Sequence, residues 1–200
     1  MKIKKAFKKI SEDKRENIIK NSLEEFSEKG FESASLNTII KKSNISKGGM
    51  YKYFESKESL YEYIVDLSVN EVLDYVEKIQ EYKHKNIKDL LIKYAELEFE
   101  FYINNPIKYE LFNKVFFQSN TEIDKKILNR YIKISDNYFF EELKEYINKN
   151  LTEKYNLITW VIKGVLDNYI IKNINKNDPK KMKEEFIMNL KKYLDMIKID

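Results

Sequence analysis

The chain has 200 residues, 42% hydrophobic and 35% charged, a balance that supports a packed core and excludes wholesale disorder. With no cysteine and one histidine, it excludes disulfides, thiolate metal sites and histidine-rich metal clusters. Net charge is +4, but residues 1–57 hold 14 Lys/Arg against 8 Asp/Glu, so the basic surplus lies at the N-terminal end and calls for an anionic partner there, nucleic acid or membrane surface.

The opening MKIKKAFKKI is basic but is followed by no apolar segment, so it is not expected to be a secretion signal. Its lysines (Lys2, Lys4, Lys5, Lys8, Lys9) have two readings, an arm along a DNA minor groove or a solubilising tail. No apolar run approaches the roughly 20 residues of a membrane span, and a cytoplasmic location without membrane contact is expected. Four glycines and two prolines leave little punctuation, so helices should be long. Ile18, Ile19, Leu23 and Phe26 recur at helical spacing over 12–29, with Ser11 placed to cap the start and Gly30 to end it. A short helix follows Ser35 (Leu36, Ile39, Ile40), then a turn at Ser43-Asn44, then a second short helix after Ser46. Ser56, strengthened by Glu58 and Ser59, should cap a long helix through about 81.

The segment Ser35 to Leu60, SLNTIIKKSNISKGGMYKYFESKESL, reads as a helix-turn-helix. Asn44 supplies the left-handed backbone that the turn needs. Ile39, Ile45, Met50 and Phe54 should point inward. Ser46 caps the second helix, whose first turn is Lys47-Gly48-Gly49. Two glycines in a helix cost roughly 1 kcal/mol each relative to alanine, which is understandable if backbone must approach base edges closely. Lys47 can reach a guanine edge or a phosphate. Tyr51 and Tyr53 carry phenols suited to phosphate oxygens, and both cannot lie fully inward in one short helix. Ser35 offers a hydroxyl and a free backbone N–H to phosphate, and Lys57 a charge at the opposite flank. A phosphate-cradling loop at 46–49 is discounted, because no strand precedes it and no Walker pattern surrounds it.

This stretch resembles the signature of the TetR (tetracycline repressor) family, in Ser35, Ile39, Asn44-Ile45-Ser46, Gly49, Met50, Tyr51, Tyr53, Phe54, Lys57, Glu58 and Leu60. Asn44 stands where the family usually has Gly, and Ile40 where it usually has Ala. Residues 12–32 are similar to the family's first helix and the Gly-aromatic turn after it. The resemblance implies an all-α fold of about nine helices: a three-helix DNA-binding domain (1–56) and a larger C-terminal bundle (57–200) that senses a ligand and dimerises. It implies a sequence-specific regulator of double-stranded operator DNA, usually a repressor released by a small molecule. A non-sequence-specific architectural DNA binder is the nearest rival.

Downstream, helices are expected over about 86–104, 106–117 (opened by Pro106), 121–149, 152–175 and 179–198. Aromatics are dense downstream of residue 57, with 22 of the chain's 28. Tyr94, Phe101, Tyr102, Tyr109, Phe112, Phe116, Tyr131 and Tyr138 are candidates to line a cavity for a hydrophobic, aromatic or cationic effector, although most such residues simply build core. The family resemblance puts the dimer interface on the last two long helices: Trp160, Val161, Gly164 and Val165 from one, Phe186, Leu190 and Leu194 from the other. The competing reading is ordinary core. Catalysis, cofactors and metals are not expected. There is no cysteine nucleophile, and His84 sits in a Lys-rich stretch that suits a loop or helix end. Trp160 lies in the most apolar helix, which speaks against a basic membrane-surface helix.

Overall fold

The computed structural model describes residues 5–83, 85–118, 120–131, 161–170, 178–196 and 198. His84, Tyr138 and Trp160 lie outside the described residues, as do the parts of the two expected helices within 132–160. The described residues hold helices and no strand. They are α1 (Lys5–Lys8), α2 (Glu12–Ser33), α3 (Leu36–Lys42), α4 (Lys47–Tyr53) and α5 (Lys57–Val76), the last continued by a 3-10 turn, Glu77–Glu81. Then come α6 (Ile87–Asn104), α7 (Pro106–Phe112) with a π-helical turn (Asn113–Gln118), α8 (122–131), α9 (161–170) and α10 (Pro179–Met196). The all-helical class is as expected. None of these helices is long and apolar enough to cross a membrane. The chain forms two compact units, Met1–Glu71 with Ile107–Lys133 and Val72–Pro106 with Ile134–Asp200.

In the first unit the helix boundaries follow from local chemistry. Gly30 interrupts α2 with φ 70, a conformation that side chains resist. Ser11 makes no capping hydrogen bond, contrary to expectation; Glu12 and Asp13 supply negative charge to that helix end instead. Ser56 and Ser59 cap α5 reciprocally, with Ser56 N–H donating to Ser59 Oγ (3.0 Å) and Ser59 N–H to Ser56 Oγ (3.3 Å). Thr121 and Asp124 do the same for α8, Asp124 N–H donating to Thr121 Oγ1 at 3.1 Å and Thr121 N–H to Asp124 Oδ2 at 3.2 Å.

Tyr61 is the hub of this unit and is fully buried. Its ring meets Phe26 (4.8 Å between centroids) and Phe31 (5.2 Å), while its hydroxyl donates to Asp124 Oδ1 at 2.7 Å. Burial, together with that carboxylate, holds the phenol well above its ordinary pKa, so it remains a donor. The α8 side chains Lys126 and Arg130 pair with Glu62 and Asp66 of α5, and the Tyr131 hydroxyl donates to Asp66 at 2.6 Å. One turn of α5 after another is thus tied to α8.

In the second unit α6 packs on α10. Phe99 and Phe186 stack at 4.8 Å with an interplanar angle of 14°. Lys183 reaches both Glu96 and Glu100 at 2.9 Å, and Lys88 pairs with Asp195. Asn86 caps α6 by accepting from the Asp89 N–H at 2.9 Å.

Candidate nucleic-acid interface

Two serines start the helices of the helix-turn-helix. The Thr38 N–H donates to Ser35 Oγ (3.2 Å) and the Gly49 N–H to Ser46 Oγ (3.0 Å). Between the helices Asn44 takes φ 51, the left-handed turn conformation expected of it. The turn is held from α2, where Asn17 Nδ2 donates to the Ser43 carbonyl at 3.1 Å. Ile39, Met50 and Phe54 are buried beneath, and Ile45 is half-buried. Burying side chains of this size is worth about 1.5–3 kcal/mol each, enough to hold α4 at a fixed angle.

That leaves an outward face. Lys47 and Gly48 are exposed, and a Cβ built on Gly48 meets nothing within 4 Å. Tyr51 is 42% exposed. Gly49 is tighter, since its Cβ would lie 3.1 Å from the capping Ser46 Oγ. Tyr53 turns the other way and is 6% exposed, with its ring 5.7 Å from Phe7. The two tyrosines therefore divide as their spacing requires.

Two of the groups expected to face DNA are engaged within the fold. Ser35 is expected from the sequence to offer a free backbone N–H, but that group donates to Glu25 Oε1 at 2.9 Å. Glu25 is fully buried and also accepts from Lys29 at 2.8 Å. Burial raises its pKa, but the hydrogen bonds from Lys29 and the Ser35 N–H, with Lys42 nearby, outweigh this and keep it below the ordinary carboxylate value. Lys57 donates to the carbonyls of Glu32 and Ala34, both at 3.1 Å, and lies 4.5 Å from the centre of the Phe31 ring. Its charge neutralises the end of α2 and seats α5. A buried carboxylate clamping the start of α3 has no sequence signal, since EEFSEK reads as a solvated helix face.

The aromatics that are candidates for a ligand cavity fall into separate groups. Phe112, Phe116 and Tyr131 form a chain of ring contacts (5.7 and 5.8 Å) in the first unit, where Tyr109 is buried as well. Phe101 and Tyr102 meet edge-on at 5.7 Å in the second unit, which also holds half-buried Tyr94. An open groove on α8 is lined by Glu122, Lys125, Lys126, Asn129 and Arg130, and includes none of these aromatics.

For the expected dimer interface, Gly164 is exposed with nothing within 4 Å of its Cβ position, Val161 is half-buried and Val165 buried. Phe186, Leu190 and Leu194 show no exposed surface, because they pack into the chain's own core around α6. The same helix leaves Met188, Tyr193 and Met196 exposed. Among the described residues no cluster of three metal-ligating side chains occurs.

Residues 18–64 match the family model described as bacterial regulatory proteins, tetR family. The chain is 35% identical over 92 residues to the HTH-type transcriptional regulator YerO of Bacillus subtilis (strain 168), covering 44% of this chain and 31% of that one. It is 40% identical over 65 residues to IcaR, the HTH-type negative transcriptional regulator of the biofilm operon icaADBC in Staphylococcus aureus (strain Newman), covering 32% of this chain and 33% of IcaR. The match thus spans about a third of each of these relatives. In fold, the chain is similar to a TetR family transcriptional regulator from Chloroflexus aurantiacus J-10-FL, with TM-score 0.69 and 16% identity, covering 98% of this chain and 97% of that one.

Proposed function

Because the chain belongs, through its N-terminal domain, to the TetR family of bacterial regulatory proteins, we propose that it is a sequence-specific DNA-binding transcriptional regulator, a repressor released from its operator by a small molecule. The observation that carries this reading is the capped start of α4. Lys47, Gly48 and Tyr51 face outward there, over a core of Ile39, Met50 and Phe54. A helix so presented enters the major groove by its first turn: Lys47 reads a base edge or phosphate, Gly48 and Gly49 admit the backbone, and Tyr51 bonds phosphate. Ser46 and Ser35 fix the two helix starts, and Ser35 retains its hydroxyl for the backbone. Tyr53 and Lys57 act mainly by holding α1 and α2 against α4 and α5.

The repressor assignment draws support from IcaR, a negative regulator. One such head covers too little DNA for useful specificity, so the active form is a homodimer on half-sites about 34–36 Å apart. Residues 1–56 serve DNA, and 57–200 serve dimerisation and sensing. On the dimer side the half-buried Val161 and the exposed Gly164 are retained, and the buried Val165 is not. From α10 the exposed Met188, Tyr193 and Met196 replace the core-bound Phe186, Leu190 and Leu194. The effector is hydrophobic or aromatic.

Footprinting of the purified protein on the DNA upstream of its own coding sequence tests this reading. A protected pseudo-palindrome, lost on adding the effector found in a ligand screen, is expected. Equal affinity for that DNA and for scrambled duplex would replace it with the architectural reading, in which the salt slope alone sets affinity.

A further inference from the structure

The N-terminal arm is not a loose appendage. α1 is only one turn long, too short to be stable alone, and it packs on α4. Its anchor is Phe7, 1% exposed, with ring centroids 4.8 Å from Phe54, 5.7 Å from Tyr53 and 5.6 Å from Tyr63. A solubilising tail has no reason to bury a phenylalanine among three aromatic rings. The flanking lysines Lys5, Lys8 and Lys9 are all exposed, and no ion pair engages them among the described residues. Lysines elsewhere on the surface, such as Lys125 and Lys126, sit on carboxylates. Lys14 of α2 joins the same flank, with its ammonium 6.0 Å from the centre of the Tyr53 ring. Nearby carboxylates do not cancel this charge: over residues 5–16 five Lys/Arg stand against Glu12, Asp13 and Glu16, with Arg15 lying 3.8 Å from Glu12, which leaves a net charge of +2. The result is a basic surface fixed to the helix that enters the groove.

We propose that this arm is a second DNA-contacting element. Phe7 is its positioning residue, and Lys5, Lys8 and Lys9 neutralise backbone phosphates flanking the half-site. The proposal rests on the DNA-binding reading above and adds a footprint that reads no bases. Phosphate contacts of this kind raise affinity for all sequences and steepen its dependence on salt.

The test compares the full-length protein with a Lys5→Gln/Lys8→Gln/Lys9→Gln variant. Each binds a duplex carrying the footprinted sequence and a scrambled duplex of equal composition, over a range of salt concentrations. The variant should bind both duplexes more weakly by a similar factor. Its log–log salt slope should be shallower by about 0.9 for each phosphate that is no longer neutralised, or about 2–3 per protomer. Phe7→Ala, which keeps every charge, should shift the slope in the same direction, with circular dichroism and thermal unfolding checking that the head remains folded. An unchanged slope in the lysine variant would overturn the proposal and leave the regulator reading intact. A selective loss on the specific duplex at constant slope would overturn it too, by making the arm a base reader. If the unmodified protein binds neither duplex, both readings fall.

Discussion

Gly48→Ala separates what the fold needs from what DNA needs. Gly48 occupies the second position of α4, in a helical conformation without positive φ, and an added Cβ would meet nothing within 4 Å. For folding alone, alanine is the better residue there: it removes backbone freedom from the unfolded chain and adds no clash. The gain should be about 0.5–1 kcal/mol, towards the lower figure because the first turn is only partly helical in its constraints. In a chain of this size that is a rise in midpoint of roughly 1–4 °C. Gly49 is the internal control. Its Cβ would press on Ser46 Oγ at 3.1 Å, the atom that caps its own N–H. Loss of a cap costs about 1 kcal/mol and offsets the propensity gain, so Gly49→Ala should be near neutral in stability. On DNA the order changes. If α4 enters the groove as proposed, a methyl on the exposed Gly48 occupies the space left for base edges, and affinity for the footprinted duplex should drop by about tenfold or more, the equivalent of about 1.4 kcal/mol. Thermal unfolding and fluorescence anisotropy on the same preparations give both numbers. A stabilised Gly48→Ala protein that binds with undiminished affinity would refute the reasoning, since the glycine would then serve no close approach.

Two further expectations concern polar groups withdrawn from solvent, Tyr61 fully and Glu98 in part. Tyr61→Phe keeps the ring contacts with Phe26 and Phe31 but strips Asp124 Oδ1 of its 2.7 Å donor, so it should lower unfolding stability by about 1–3 kcal/mol, and an unchanged midpoint would mean that the α5–α8 tie is dispensable. Glu98, in α6, has its pKa pushed up to about 7 by burial, against the opposing pull of Lys163 and a hydrogen bond with Tyr94 and with Asp167 adding to the rise. The folded chain therefore keeps a proton that the unfolded chain releases near its ordinary value of 4.5, and stability should fall as pH climbs from there to about 7, by at most about 3 kcal/mol. Glu25, Glu58 and Glu96 have lowered pKa values and lose their contribution only below the ordinary carboxylate range, outside that window. Urea midpoints across it should slope downward in the unmodified protein and less so in Glu98→Gln; parallel slopes would remove Glu98 as the source.

The helix-turn-helix is legible in the sequence because its determinants are local. A capping hydroxyl acts three residues ahead, as Ser46 does on Gly49, and Asn44 adopts its turn by its own conformational preference. Apolar spacing then assigns Met50 and Phe54 inward and requires at least one of Tyr51 and Tyr53 to face out, but it is the Phe7 ring of α1 beside Tyr53 that decides which. The arm is not legible by the same logic. Four helical residues carry no periodicity, and what makes α1 a helix is Phe7 finding rings at positions 53, 54 and 63. Lys57 misleads for a related reason: a lysine at a helix start shows its charge in the sequence, but the carbonyls that claim it lie 25 and 23 residues away.

The C-terminal part of the chain poses a harder problem of the same kind. Phe186, Leu190 and Leu194 follow one another at four-residue intervals, which marks an apolar face but not what that face meets. A helix docking on its own chain and one docking on a second copy obey the same spacing. What distinguishes them is which apolar residues the fold leaves uncovered, and α10 leaves Met188, Tyr193 and Met196 exposed in a single chain, Met188 on the side opposite Leu190. Such residues have a cost in solubility unless covered, whereas Phe186 already has its partner in Phe99. Dimer geometry in a chain of this type is thus better sought in the apolar residues the fold leaves over than in those it uses. If Met188→Glu leaves the molecule dimeric in sedimentation at micromolar concentration, the side of α10 that carries Met188 is not where the two copies meet.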